Sequence, residues 1–385
     1  MDFRNLTIGF DGKRAAQNRT GLGNYSRFVI GGLSLHSDIG RLLVYSPSAR
    51  KTGCLDGLDK MERVEMRFAG TTWKTSGLTS LWRVAGMTGN LARDGVDLFH
   101  GLSNELPLNM GRAKGVRSIV TIHDLIFLRF PEFYSRIDRK IYDYKARRAC
   151  AKADRIVAVS HSTKRDIMEF YGVAADRIDV VYQGCDSQFW TRADEETRLE
   201  ARRTLGLPDR YVVYVGSIER RKNLMLLAKA LRHLPKELRV VALGKRTGYA
   251  DEVEDFCARE GLGDRLRIVS GAPFRLFPAT YQMADALVYP SRFEGFGIPM
   301  LEALASQIPA IGCTGSSLEE AGGDASLYVA PDDDEGMARA IEAVVGDEAL
   351  RRRMVDMGLA HSRGFSQEGL TKRLMECYAK TLQGA

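Results

Sequence analysis

The chain has 385 residues, 44% hydrophobic and 27% charged, with a net charge of +7, proportions that suit two globular cores and exclude a disordered or fibrous chain. No apolar run approaches the ~20 residues that span a bilayer, and the opening MDFRNLTIGF lacks signal-peptide anatomy. The six cysteines form neither a Cys-x-x-Cys pair nor a His/Cys metal spacing, so reduced thiols, a cytoplasmic setting and no metal are expected.

In chain order, short β-branched runs alternate with longer amphipathic stretches. The first half offers strands at 6–10, 42–46, 96–101, 118–124, 155–160 and 178–184. The pattern restarts at 211–217, 238–244, 266–271, 285–291, 308–314 and 326–330. Near-continuous apolar strands separated by helices predict parallel sheets covered on both faces. Two such series predict an α/β chain of two facing, Rossmann-like, doubly wound domains with a cleft between them. The first is placed at residues 1–184 and the second at 211–364, joined by a polar linker at 185–210. A terminal helix at 365–385 is expected to pack back on the first domain. The basic charge lies in the first half: residues 1–190 carry 29 Lys and Arg against 20 Asp and Glu. Its densest part, 128–155, interleaves Arg and Lys with Phe and Tyr, a pattern suited to nucleic acid, an anionic membrane surface or a phosphorylated acceptor.

Open parallel sheets bind ligands beyond the carboxyl ends of their strands, so polar residues just after strands are the candidates. Gly21 and Gly23, in TGLGNYSR, stand where backbone amides open a helix; the alternative is a glycine turn with no ligand. His123 ends the fourth strand in TIHDLIF, and His100 in DLFHG competes with it; either is equally readable as a satisfied structural histidine. YVGSIERRKNL sets Gly216 in a turn and Arg221 and Lys222 at a helix start. Cations there oppose the helix dipole, and a bound anion would supply the reason. GKRT at 244–247 lacks the upstream glycine of a P-loop. In SRFEGFGIPMLEALA, Glu294 precedes a helix and Glu302 lies about one turn inside it, with Phe296, Gly297 and Pro299 between. Two carboxylates around an amide-rich turn suit two polyols beside a phosphate; a turn residue and a helix-end carboxylate are the plainer alternatives.

Together, and in this order, these segments resemble the retaining glycosyltransferases of family 4, which have the GT-B fold. TGLGNYSR, TIHDLIFLRFPEFY, RIVAVSHSTKRDI, VVYQGCD, YVGSIERRKNL and YPSRFEGFGIPMLEALA carry the resemblance, the last with the family's Glu-x7-Glu as Glu294 and Glu302. The GSIERRKNL form is similar to bacterial mannosyl- and rhamnosyltransferases of surface-polysaccharide assembly. Two departures stand out: Gln183 where the family more often has Asn, and Ser217 where many relatives carry an arginine. The resemblance implies a nucleotide-sugar donor, GDP-mannose as first choice. Lys222 and Arg221 would face the diphosphate, Glu302 the ribose, Glu294 the transferred sugar, and the Phe296–Gly297 amides sugar or phosphate. Gly21 and Gly23 would approach the phosphates and His123 the reacting sugar. No cofactor or metal is expected. The implied acceptor is a saccharide or lipid-linked saccharide, met at the inner membrane face, with 128–155 and the Trp73–Trp82 stretch on the acceptor side. An epimerase or phosphorylase of the same architecture, a basic nucleic-acid-binding protein and an inactive sugar-nucleotide sensor are the competing readings.

Overall fold

The computed structural model describes residues 1–49, 51–55, 57–70 and 81–384; Trp73 lies outside the described residues. The chain divides into two units, Met1–Gly184 with Gln367–Ala385, and Cys185–Ser366.

The first unit is built on a seven-stranded parallel sheet of β1 (Thr7–Asp11), β2 (Arg41–Ser46), β3 (Val64–Phe68), β4 (Leu98–Gly101), β5 (Arg117–Ile122), β6 (Arg155–Ala158) and β7 (Ile178–Val180), in the order β3-β2-β1-β4-β5-β6-β7. Alternation along β2 shows why the strand must be apolar throughout. Leu42 and Val44 join a core with Val29, Ile30 and Leu33 of the helix Gly21–His36, whereas Leu43 and Tyr45 join a core with Phe99, Leu91 and Trp82 on the other face. Trp82 is therefore a packing residue of this core, its indole N–H donating to Asn90 Oδ1 at 3.1 Å, and not part of an exposed acceptor-side surface. The sequence pattern missed β3. VEMRF sits on the sheet edge, paired on one side only, so Glu65 and Arg67 can remain half-exposed and ion-paired.

The helix Gln367–Gln383 belongs to this first unit. Leu374, Cys377 and Tyr378 enter the core shared with helix Gly21–His36, and a Cβ on Gly32 would lie 2.6 Å from Thr371 Oγ1, so the two helices approach through a glycine. Tyr378 Oη lies 2.8 Å from His100 Nδ1, and Thr121 Oγ1 lies 2.8 Å from His100 Nε2. His100 is thus a fully buried structural peg between β4, β5 and the terminal helix.

The second unit has a six-stranded parallel sheet of β8 (Tyr211–Val215), β9 (Arg239–Leu243), β10 (Leu266–Val269), β11 (Ala286–Tyr289), β12 (Ala310–Cys313) and β13 (Leu327–Val329), in the order β10-β9-β8-β11-β12-β13. Residues 185–210, read from sequence as a linker, are folded into this unit. Asp194 caps a helix at Glu195–Leu205 by accepting from Thr197 N, and Gly206 ends it in the left-handed region. Ala201 and Leu205 are buried, and Ala193 N donates to Gln282 Oε1 at 2.9 Å. The polar composition that suggested a linker is the solvent face of this amphipathic helix. All six cysteines are free thiols, and no helix among the described residues is long and apolar enough to cross a membrane.

Candidate active site

In each sheet the chain winds outward one way, then returns to continue on the other side. The reversal falls between β1 and β4 in the first sheet and between β8 and β11 in the second. Such switch points are where open α/β sheets bind ligands.

At the second switch point β8 runs into Gly216 and β11 into Ser291. Gly216 has φ +152°, and a Cβ there would sit 2.8 Å from Lys222 Cδ. Its own carbonyl passes so close to Gly244 that a Cβ on Gly244 would meet it at 1.8 Å. These two glycines let the loop fold back over the sheet edge and bring Lys222 across it. Arg220–Lys222 forms a 3₁₀ turn, Asn223 takes a left-handed conformation (φ 58°), and the helix Leu224–Ala230 begins only afterwards. Arg221 and Lys222 therefore precede the helix instead of opening it.

The cations have an internal counter-ion. Lys222 Nζ and Arg221 Nη1 each lie 2.9 Å from Glu294 Oε1, and the same oxygen accepts from Tyr289 Oη at 2.9 Å and Ser291 Oγ at 2.8 Å. Arg221 also donates to the Phe293 carbonyl (2.7 Å) and to Glu219 Oε1 (2.8 Å). Burial opposes ionisation of Glu294, but the charges of Arg221 and Lys222 outweigh it and hold the carboxyl well below its usual range. Tyr289 and Ser291 went unnoticed in the sequence; an aromatic and a serine at a strand end carry no distinctive signal there.

The turn after Glu294 is fixed from below. Ser317 Oγ lies 2.8 Å from the Glu294 carbonyl and 2.9 Å from that of Phe296. The Phe296 ring is buried 5.8 Å from Phe365, so only its backbone remains for a ligand. Gly297 has φ +110° and starts the helix Ile298–Ala305; a Cβ there would press on Leu318 Cδ2 at 2.5 Å. Glu302, inside that helix, is buried and does not share the cation cluster. Tyr281 Oη donates to its Oε2 at 2.7 Å, and burial lifts its pKa to about 7 against that hydrogen bond, with Asp186 adding repulsion. One glutamate of the pair is thus firmly ionised while the other titrates near neutrality.

In the first unit, Gly21 and Gly23 do different things. Gly21 opens the helix, and a Cβ there would meet nothing within 4 Å. Gly23 N already donates to the Thr20 carbonyl, and its missing side chain makes room for the Asn18 carbonyl, 1.8 Å from where a Cβ would stand. Gly23 is therefore a packing glycine and its amide is spent. Thr20 does not cap the helix: its hydroxyl and its amide both turn to Asn18 Oδ1, each at 2.6 Å. His123 is buried, with Nε2 2.8 Å from the Leu102 carbonyl and Nδ1 2.9 Å from Gln183 Nε2. Those partners fix the Nε2–H tautomer. Burial depresses its pKa to about 4, against the bond to Leu102, and Arg14 adds to the fall. The Gln183 departure from the family pattern is what occupies Nδ1.

Residues 44–189 match the family described as Glycosyltransferase Family 4, and residues 197–359 match Glycosyl transferases group 1. The chain belongs to the family 4 glycosyltransferases. It is similar to O-antigen chain mannosyltransferase B of Escherichia coli, 28% identical over 285 residues, which are 73% of this chain and 74% of that protein. It is similar also to D-inositol 3-phosphate glycosyltransferase of Nocardia farcinica, 33% identical over 245 residues, 60% of this chain but only 54% of that protein. Among solved structures, Anabaena Alr3699/HepE in complex with UDP-glucose superposes with a TM-score of 0.76 at 18% identity, covering 98% of this chain and 100% of that one. At that identity the likeness is one of fold, the GT-B class with its two parallel-sheet domains. By both matched families the activity is glycosyl transfer.

Proposed function

We propose that this enzyme transfers a hexose, with retention of anomeric configuration, from a nucleoside diphosphate sugar to a saccharide or lipid-linked saccharide of cell-surface polysaccharide. The carrying observation is the meeting of Arg221, Lys222 and Glu294 at the β8/β11 switch point. Two cations around one carboxylate can accept a diphosphate when the carboxylate turns to the sugar hydroxyls, and they can neutralise the leaving phosphate without a metal. Mannose from GDP-mannose is the preferred donor, supported by the E. coli mannosyltransferase. UDP-glucose is the second choice, because HepE binds it in a related fold.

Glu302, ionised at the upper end of neutrality, suits the ribose diol, and the Phe296–Gly297 turn suits sugar or phosphate oxygens. Glu294 is an unpromising nucleophile: Oε1 is held by Lys222, Arg221, Tyr289 and Ser291, and the adjacent cations keep the carboxyl far below its usual pKa, which weakens it as a base and nucleophile. Same-face attack is therefore favoured, with the leaving phosphate taking the acceptor proton. His123, neutral and engaged at both nitrogens, contributes position instead of proton transfer. Gly21, where a Cβ would meet no described atom within 4 Å, suits an approach to donor phosphate; Gly23 supports that turn. The first unit would take the acceptor. Ile137, Ile141 and Tyr144 form an exposed stripe at helical spacing along Arg136–Lys152, among Arg136, Arg139, Lys140 and Arg147. That stripe supports peripheral association with an anionic inner-membrane surface.

The test is calorimetric binding of GDP-, UDP-, ADP- and dTDP-sugars in EDTA, followed by NMR of the product anomer. Binding of one nucleotide family and a product of retained configuration is expected. Inverted product, or dependence on a divalent ion, would overturn the mechanism.

A further inference from the structure

The switch point of the first sheet, between β1 and β4, also carries cations, and these lack a use in the donor site. β1 ends at Asp11, whose Oδ2 accepts from Arg83 Nε at 2.6 Å. Arg83 also pairs with Glu105, which Lys145 Nζ approaches at 3.1 Å. Arg83 is therefore neutralised twice over. Lys13 and Arg14, the residues that follow Gly12, are not. Both are half-buried, yet among the described residues neither side chain makes a hydrogen bond or ion pair, and Arg14 Nε is buried without any partner. Burial, then Arg83 and Arg14, push the Lys13 ammonium below its ordinary value against the weaker pull of Asp11 and Glu105, and the charge of Arg14 reaches His123 at the end of β5. A buried N–H with no acceptor costs free energy. A chain that retains one beside two further cations, at the edge where such sheets bind ligands, has left an acceptor position open. The backbone supports the same reading. Gly23 of the long helix packs against this segment, its Cβ position 3.0 Å from the Arg14 carbonyl, and that helix begins with its threonine cap turned away.

We propose that Lys13 and Arg14 form an oxyanion subsite for the acceptor, taking a phosphate or carboxylate group that the acceptor sugar carries. The inference rests on the glycosyltransferase reading and adds to it the charge class of the acceptor. Phosphate and carboxylate share the chemistry a lysine and an arginine recognise.

Inorganic phosphate and glucuronate are the probes, titrated calorimetrically into the full chain at low ionic strength. Three proteins are compared: wild type, Lys13→Gln/Arg14→Gln, and Arg221→Gln/Lys222→Gln. Phosphate should fill two sites in wild type and one in each double variant, with affinity at the lost site reduced at least tenfold. Lys13→Arg/Arg14→Lys should restore it, which a folding defect would not permit. Glucuronate bound at the first-unit site points to a uronic acceptor, and phosphate alone to a phosphorylated one. If Lys13→Gln/Arg14→Gln binds both probes as wild type does, or if Arg221→Gln/Lys222→Gln binds neither, the subsite is refuted. If Arg221→Gln/Lys222→Gln instead matches wild type, the donor assignment fails while the acceptor subsite stands.

Discussion

Lys222 and Glu294, 72 residues apart, meet at 2.9 Å because β8 and β11 are neighbours in the second sheet, and Arg221 holds the same carboxylate oxygen from another side. The cation pair therefore carries its own anion before any diphosphate arrives. Under the proposed function, a donor would compete with Glu294 for the cations, and the freed carboxylate would turn to the sugar.

Glu294→Gln removes that competition. Nucleoside diphosphate affinity should stay level or rise up to tenfold, because Lys222 then loses its carboxylate partner and Arg221 keeps only Glu219. Turnover should fall 100-fold or more, since the amide can neither accept from a sugar hydroxyl as strongly nor balance positive charge on the sugar. Calorimetry alongside kcat decides it; parallel loss of both parameters would contradict this division of labour.

Glu302 predicts a pH dependence. Its folded pKa of about 7 lies above the ordinary 4.5, so the folded state holds the proton longer than the unfolded chain does. Its contribution to stability is accordingly complete below pH 4.5 and declines by about 3 kcal/mol as pH rises to 7. Glu302→Gln should melt like wild type at pH 4.5 and higher than wild type at pH 8. Nucleotide affinity should run the other way: the variant binds about tenfold more weakly at pH 8, where the ionised carboxylate accepts from both ribose hydroxyls, and the gap narrows at pH 5.5. A gap independent of pH would remove Glu302 from the ribose.

The glycines of TGLGNYSR should separate cleanly. Gly21→Ala meets open space and should leave the melting temperature within about 1 °C. Gly23→Ala drives a methyl into the Asn18 carbonyl and should cost about 2 kcal/mol or more. Any loss of donor affinity in Gly21→Ala would then report on approach to the ligand and not on folding.

His100 and His123 are both buried with depressed pKa values, about 3 and about 4 against an ordinary 6.5; burial is the leading cause for each. The unfolded chain takes up their protons first, so stability is full above pH 6.5 and is lost as pH falls toward 4. His100→Asn should flatten that decline in melting temperature between pH 6.5 and 4.5. An unchanged slope would assign the acid lability elsewhere.

The stripe on Arg136–Lys152 should bind vesicles. Sedimentation with phosphatidylglycerol-containing vesicles should be strong for wild type, weak for Ile137→Ser/Ile141→Ser/Tyr144→Ser, and weak for wild type on phosphatidylcholine alone. Equal sedimentation of wild type and variant would exclude this face.

Local pattern determined a great deal on its own. Twelve of the thirteen described strands stand out as short apolar or β-branched runs, most clearly where both faces are covered, as at Leu42, Leu43, Val44 and Tyr45. β3 escaped because the half-exposed Glu65 and Arg67, tolerated at a sheet edge, break up its apolar run. The spacing of Glu294, Gly297 and Glu302 likewise marks a turn and a helix start, since those features depend on neighbours in sequence. Tertiary structure decided the chemistry. It joined Glu294 to Lys222 across two strands, raised Glu302 by burial beside Tyr281, and turned Trp82 and His100 inward. It also engaged both nitrogens of His123 and, among the described residues, left the Lys13 and Arg14 side chains without a hydrogen bond or ion pair beside Arg83. Charge state and hydrogen-bond occupancy depend on distance and solvent access, and both are set by segments dozens of residues apart in the chain.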